Sequence, residues 1–132
     1  QIRTFSLPKY MTYYANGWKD DAAWFGEGTI HSDTLVITED YISAYRVYRD
    51  TGCDSVALLK TTMSKYTEEC LLKANYKRII VWLDPDEAGV KGERKITQRL
   101  RYITGTEISP ACWDQEPKEL DPRTLKRVLN GL

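Results

Sequence analysis

The stretch Ile79-Ile80-Val81-Trp82-Leu83-Asp84-Pro85-Asp86-Glu87-Ala88-Gly89 runs five apolar residues straight into paired carboxylates. A short continuous apolar run, β-branched at Ile79, Ile80 and Val81, suits a parallel strand covered on both faces. Pro85 pushes Asp84 towards extended backbone, and Gly89 with the charges beyond it opens a new element. The chain therefore contains a strand that ends in acid. Carboxylates two apart at such a junction can converge on one divalent cation, because hard ions such as magnesium take oxygen ligands and keep waters for substrate phosphates. The plainer reading makes Asp86 the N-cap of the next helix. The spacing alone leaves both open.

A second strand has the same character. Leu35-Val36-Ile37-Thr38 leads into Glu39-Asp40, and a helix over Tyr41 to Asp50 follows, with Ile42, Tyr45 and Tyr48 or Arg49 on one face. Thr51-Gly52 stops it, Ser55 to Leu59 is a further strand closing on Lys60, and Ser64 caps a helix to about Ala74. Glu87 to about Thr104 reads as a helix with Ala88, Gly92, Ile96, Leu100 and Ile103 along one stripe. Lys91, Arg94, Lys95, Arg99 and Arg101 occupy the remainder, a solvated face or a local phosphate contact. Thr106 to Ser109 is a last short strand, an acid-bearing loop follows, and Asp121 caps a helix from Pro122 whose Leu125, Val128, Leu129 and Leu132 share a face. Strands alternating with helices from Leu35 onward predict an α/β fold, a mostly parallel four-stranded sheet with helices on both faces.

The first part of the chain differs. It is aromatic and turn-rich, and Asn16-Gly17 between β-favouring segments is a hairpin signal, so residues 1–32 are expected to form a small antiparallel β subdomain and 33–132 the α/β domain. Its aromatic residues are read as packing against a sheet rather than stacking on bases. His31, the single histidine, is read as a loop residue.

Composition removes several classes of function. With 19 basic and 19 acidic residues the net charge is +0, so a polyanion must be gripped locally. Cys53, Cys70 and Cys112 are odd in number and unpaired in spacing, against a disulfide scaffold or zinc ribbon and in favour of a reducing cytoplasm. No apolar run approaches a membrane span, and no membrane partner is expected. A start at glutamine rather than methionine suggests a domain cut from something longer. Phosphate-loop and nucleophile-elbow motifs are absent, and one histidine does not make a triad.

In an open parallel sheet, ligands bind beyond the carboxyl ends of the strands. Glu39, Asp84 and Asp86 would meet there, with the loop after Ser109 within reach. Gathered carboxylates repel one another and are tolerated when a cation neutralises them, so magnesium, or manganese in its place, is the expected ion. Its chemistry is that of polymerases, nucleases and phosphatases.

Leu35-Val36-Ile37-Thr38-Glu39-Asp40 with Ser43-Ala44, Leu58-Leu59-Lys60-Thr61, and Trp82-Leu83-Asp84-Pro85-Asp86-Glu87-Ala88-Gly89 resemble the successive motifs of a Toprim domain, a Rossmann-like fold. More narrowly they are similar to the primase part of phage primase-helicases and bacterial-type primases. Asp40 stands where that family usually has glycine, and Glu116-Pro117-Lys118-Glu119 is similar to its later Asp-Pro-Lys segment, with Asp114 or Glu119 as alternatives to Glu116. Trp24-Phe25-Gly26 also resembles the short segment that precedes Toprim in phage primases, which makes a partial N-terminal primase subdomain the alternative for residues 1–32. The resemblance covers about Trp24 to Leu132. It implies magnesium-dependent RNA primer synthesis from ribonucleoside triphosphates on single-stranded DNA, with a replicative helicase domain or protein as partner, in a bacterial or phage-host cytoplasm. Asp84 and Asp86 would hold the metal, with Glu116 as a further ligand and Glu39 as ligand or general base. Lys60, Lys91 and Lys118 would meet triphosphate or template. The rivals are a Toprim nuclease or topoisomerase-type domain, a phosphoacceptor domain built on Asp84, and a catalytically idle docking module.

Overall fold

Apolar, β-branched runs bounded by turn residues become the central strands of the computed structural model, which describes residues 22–26 and 32–132. In chain order these form β1 (Ala23–Phe25), β2 (Thr34–Thr38), α1 (Tyr41–Thr51), β3 (Asp54–Ala57), α2 (Lys65–Ala74), β4 (Arg78–Trp82), α3 (Glu87–Ile103), β5 (Glu107–Pro110), a 3-10 turn (Pro117–Glu119) and α4 (Pro122–Asn130). The sheet order is β1-β3-β2-β4-β5. The expected four parallel strands are there as β3-β2-β4-β5. A fifth joins them, because Ala23–Phe25 pairs antiparallel along β3 and its side chains are buried with the core. The Asn16-Gly17 hairpin and His31 lie outside the described residues.

Successive residues of a strand face opposite sides of the sheet, and both sides here are covered. Leu35, Ile37, Ile79, Val81 and Ile108 pack with Leu71 of α2 and with Ile96 and Leu100 of α3. Val36, Ile80 and Trp82 pack on the other side with Val47 of α1 and with Leu125, Val128 and Leu129 of α4. Truncating a side chain as enclosed as Leu100 costs about 2–5 kcal/mol.

Two helix faces differ from the sequence expectation. In α1 the buried residues are Ser43, Ala44 and Val47, while Ile42 is 53% exposed. The small residues bring the helix close to the sheet, and Tyr41, Tyr45 and Tyr48 gather around the buried Phe25 ring, with centroids 5.2, 5.8 and 6.1 Å away. In α3, Ala88 is exposed and the buried stripe is Gly89, Gly92, Glu93, Ile96, Thr97 and Leu100. Gly89 meets the backbone there: a Cβ at that position would come 2.0 Å from the Asp84 carbonyl oxygen.

Candidate metal centre

Thr38 is paired with both Ala57 and Trp82, so β2, β3 and β4 end level with one another. Glu39-Asp40 and Leu83-Asp84 therefore leave the sheet side by side at its carboxyl edge. Asp40 is the N-cap of α1, its Oδ1 accepting the Ser43 N–H at 2.6 Å. That capping geometry frees Oδ2 to point elsewhere. Glu39 Oε1 accepts the Asp84 N–H at 3.1 Å, tying the two strand ends together.

The third acid arrives from far along the chain. The buried Trp82 ring donates its Nε1–H to the Gln115 carbonyl at 2.9 Å, fixing the residue before Glu116. The Arg46 guanidinium holds the Lys118 and Leu120 carbonyls at 3.1 and 2.6 Å, and the Lys118 N–H donates to Ser43 Oγ at 3.2 Å. Glu116 is then the N-cap of the 3-10 turn, its N–H donating to Glu119 Oε1 at 2.9 Å and its carbonyl accepting the Glu119 N–H at 2.9 Å. One carboxylate oxygen from each of Asp40, Asp84 and Glu116 lies within 4.8 Å of the other two.

Crowding shows in the acid–base properties. Burial, with Asp40 and Asp84 adjoining, pushes Glu116 up to about 7. Burial and the nearby Glu39 raise Asp84, and burial raises Glu39 against the Asp84 amide that it accepts. Burial also works to raise Asp40, but the Lys118 ammonium and the Ser43 amide outweigh it and hold Asp40 below the usual carboxylate range. Lys118 Nζ lies 2.7 Å from Asp40 Oδ2 and 3.4 Å from Glu116 Oε1, and its own pKa is raised, first by Asp40. Those two oxygens are buried and accept no well-aligned hydrogen bond among the described residues, so the lysine charge is what answers them. A three-carboxylate set of this kind fits a hard, oxygen-seeking dication.

Of the acids expected at the site, Asp84 and Glu116 meet, with Glu39 behind Asp84. Asp86 lies outside the triad and caps α3, its Oδ1 accepting the Gly89 N–H at 2.7 Å. Lys118 is inside the cluster, paired with Asp40 and Glu116. Lys91 is exposed and pairs with Glu87 at 3.5 Å, and Lys60 is exposed beyond β3. The sequence assigns no site role to two residues. Asp40 stands there as an acid at the end of the second strand and as a departure from the motif, although an acid directly before a helix is also a cap signal. Glu93, buried in α3, belongs to the stripe that Gly89, Gly92, Ile96 and Leu100 define once its phase is set correctly.

A family profile described as a Toprim domain matches residues 33–111. The crystal structure of the Aquifex aeolicus primase (zinc-binding and RNA polymerase domains) is similar in fold, with a TM-score of 0.57 and 24% identity over 75% of this chain and 26% of that one. The match thus spans about a quarter of the length of that structure's chain. No curated protein matches it.

Proposed function

The chain belongs to the Toprim domain family, and on that premise we propose that it is the catalytic domain of a DNA primase, joining ribonucleoside triphosphates into RNA on a single-stranded DNA template. The observation that carries the reading is the convergence of Asp40, Asp84 and Glu116 at the carboxyl edge of the sheet. Magnesium held by these three would offset charge on the transferred phosphoryl group and acidify the attacking hydroxyl. Glu39 stands beside them with one oxygen engaged by the Asp84 amide. Its raised pKa is the direction a general base requires, and its second oxygen takes the proton from the 3′ hydroxyl. Asp86 orients the start of α3 and adds negative charge from its capping position. Lys60 and Lys91 receive triphosphate or template phosphates, while Lys118 balances Asp40. A replicative helicase is the expected partner, in a bacterial or phage-host cytoplasm; among the described residues no helix is long and apolar enough to cross a membrane.

Dinucleotide synthesis by the full-length protein on a single-stranded template tests this. Asp84→Asn is expected to abolish magnesium-dependent product, and wild-type yield from that variant refutes the assignment. Cleavage of labelled single-stranded DNA without nucleotides, in place of extension, makes the domain a nuclease.

A further inference from the structure

Glu93 is a carboxylate inside a packed helix face, 9% exposed, and among the described residues no cation pairs with it. Its two oxygens are both engaged by backbone. Oε1 accepts the Leu83 N–H at 2.9 Å and Oε2 accepts the Cys112 N–H at 3.0 Å. These amides belong to the ends of two neighbouring strands. The last ladder bond between β4 and β5 runs from the Ala111 N–H to the Val81 carbonyl at 2.8 Å. By parallel-strand geometry the next would join the Leu83 N–H to the Ala111 carbonyl. Glu93 takes that N–H instead, and Cys112 turns out of strand conformation at φ 53, its own N–H on the second oxygen.

The consequence lies at the metal centre. Leu83 immediately precedes Asp84, and Cys112 opens the segment that reaches Glu116. One rigid carboxylate thus spans the bases of two arms whose tips are acids of the cluster. The helix carrying it has no room to drift: a Cβ on the adjacent Gly92 would come 2.4 Å from the Thr61 carbonyl. A purely apolar residue at 93 would leave two buried amides without acceptors, but a simple brace needs no carboxylate at this place in the sheet, since continued pairing of β4 with β5 would satisfy Leu83 equally well. What the carboxylate adds is separation of the strands at the point where their ends must diverge.

We propose that Glu93 is the positioning residue of the metal centre, its carboxylate wedged between the ends of β4 and β5 so as to set the gap between Asp84 and Glu116. The inference rests on the metal-binding reading above. Residues hydrogen-bonded to metal ligands typically change affinity by about 10–100-fold when replaced; Glu93 acts one step further out, through the backbone of the two ligand-bearing segments, so the lower end of that range applies.

The test is Mn2+ affinity, read by electron paramagnetic resonance on the full chain, for wild type, Glu93→Gln and a core variant, Leu71→Ala, that is destabilised away from the acidic cluster. Glutamine keeps the size but offers one acceptor where two are needed. Glu93→Gln is expected to bind Mn2+ about tenfold more weakly or worse, and Leu71→Ala to bind as wild type does. Equal affinity in Glu93→Gln and wild type overturns the proposal and leaves the metal-binding reading intact. A wild type that binds no Mn2+ defeats that reading and this inference with it. Should Glu93→Gln not fold, amide exchange of the wild type decides: Mg2+ is expected to slow exchange at Leu83 and Cys112, and unchanged rates at both overturn the proposal.

Discussion

Lys118 Nζ lies 2.7 Å from Asp40 Oδ2, so the positive charge that answers this acidic cluster comes from the protein's own chain. The lysine is partly open to solvent, whereas the carboxylate oxygen that it meets is buried. A dication and the ammonium therefore compete for the same carboxylates. Lys118→Met removes the competitor and is expected to tighten Mn2+ binding about three- to tenfold, the scale of a charge interaction at a wet protein surface, while lowering the melting temperature of the metal-free protein. Calorimetric titration measures the first effect. Unchanged binding shows that the two do not compete, and weaker binding that the lysine assists the ion instead.

The pH dependence follows from Glu116. Its folded pKa of about 7 lies above the ordinary 4.5, so its contribution to stability is complete below 4.5 and is lost as pH rises through about 7. Asp84 and Glu39, also raised, act with the same sign. The metal-free protein is expected to weaken between about pH 5 and 8 through these groups, and Mn2+, which takes the ionised form, to restore it. Binding at pH 6 should release close to one proton per ion and at pH 8.5 almost none, read by calorimetry in buffers of different ionisation heat. Affinity independent of pH over that range contradicts the assignment of Glu116.

Asp86 separates capping from charge. Asparagine caps as well as aspartate does, whereas alanine loses about 1 kcal/mol. Asp86→Asn is expected to keep the stability of the wild type and lower Mn2+ affinity only a few-fold, and Asp86→Ala to lose stability as well. Denaturant unfolding and Mn2+ titration check the pair. Abolition of binding by Asp86→Asn makes this residue a direct ligand.

Gly89→Ala sets two effects against each other. Helix propensity favours alanine by about 1 kcal/mol, but the new methyl group meets the Asp84 carbonyl, which is backbone and has no rotamer to yield. Overpacking costs about 1–3 kcal/mol, occasionally more, and the steric term wins. The variant should be less stable by urea denaturation, with weaker Mn2+ binding because Asp84 must shift. Equal or greater stability removes the argument from close approach.

The strands and the acid-bearing ends of β2 and β4 were legible because each buried run is bounded by residues with one clear local meaning: Gly52 stops α1, Ser64 caps α2 and Asp86 caps α3. What escaped depended on tertiary contact. Ile42 has the hydrophobicity of a core residue, yet the close seat of α1 selected Ala44 and Val47. Glu93 has the composition of a surface residue, and only the parting of β4 from β5 explains its burial. Glu116 reaches the site through the Trp82–Gln115 bond and the Arg46 contacts, none of which leaves a periodic trace in the sequence.

Anomalous diffraction from a manganese-soaked crystal tests the centre most directly. The expected result is one strong peak within ligand distance of Asp40, Asp84 and Glu116 together, about 2.0–2.4 Å from an oxygen of each. A well-ordered cluster with Lys118 still seated in it and no peak there, at manganese concentrations that label other carboxylates, contradicts the account.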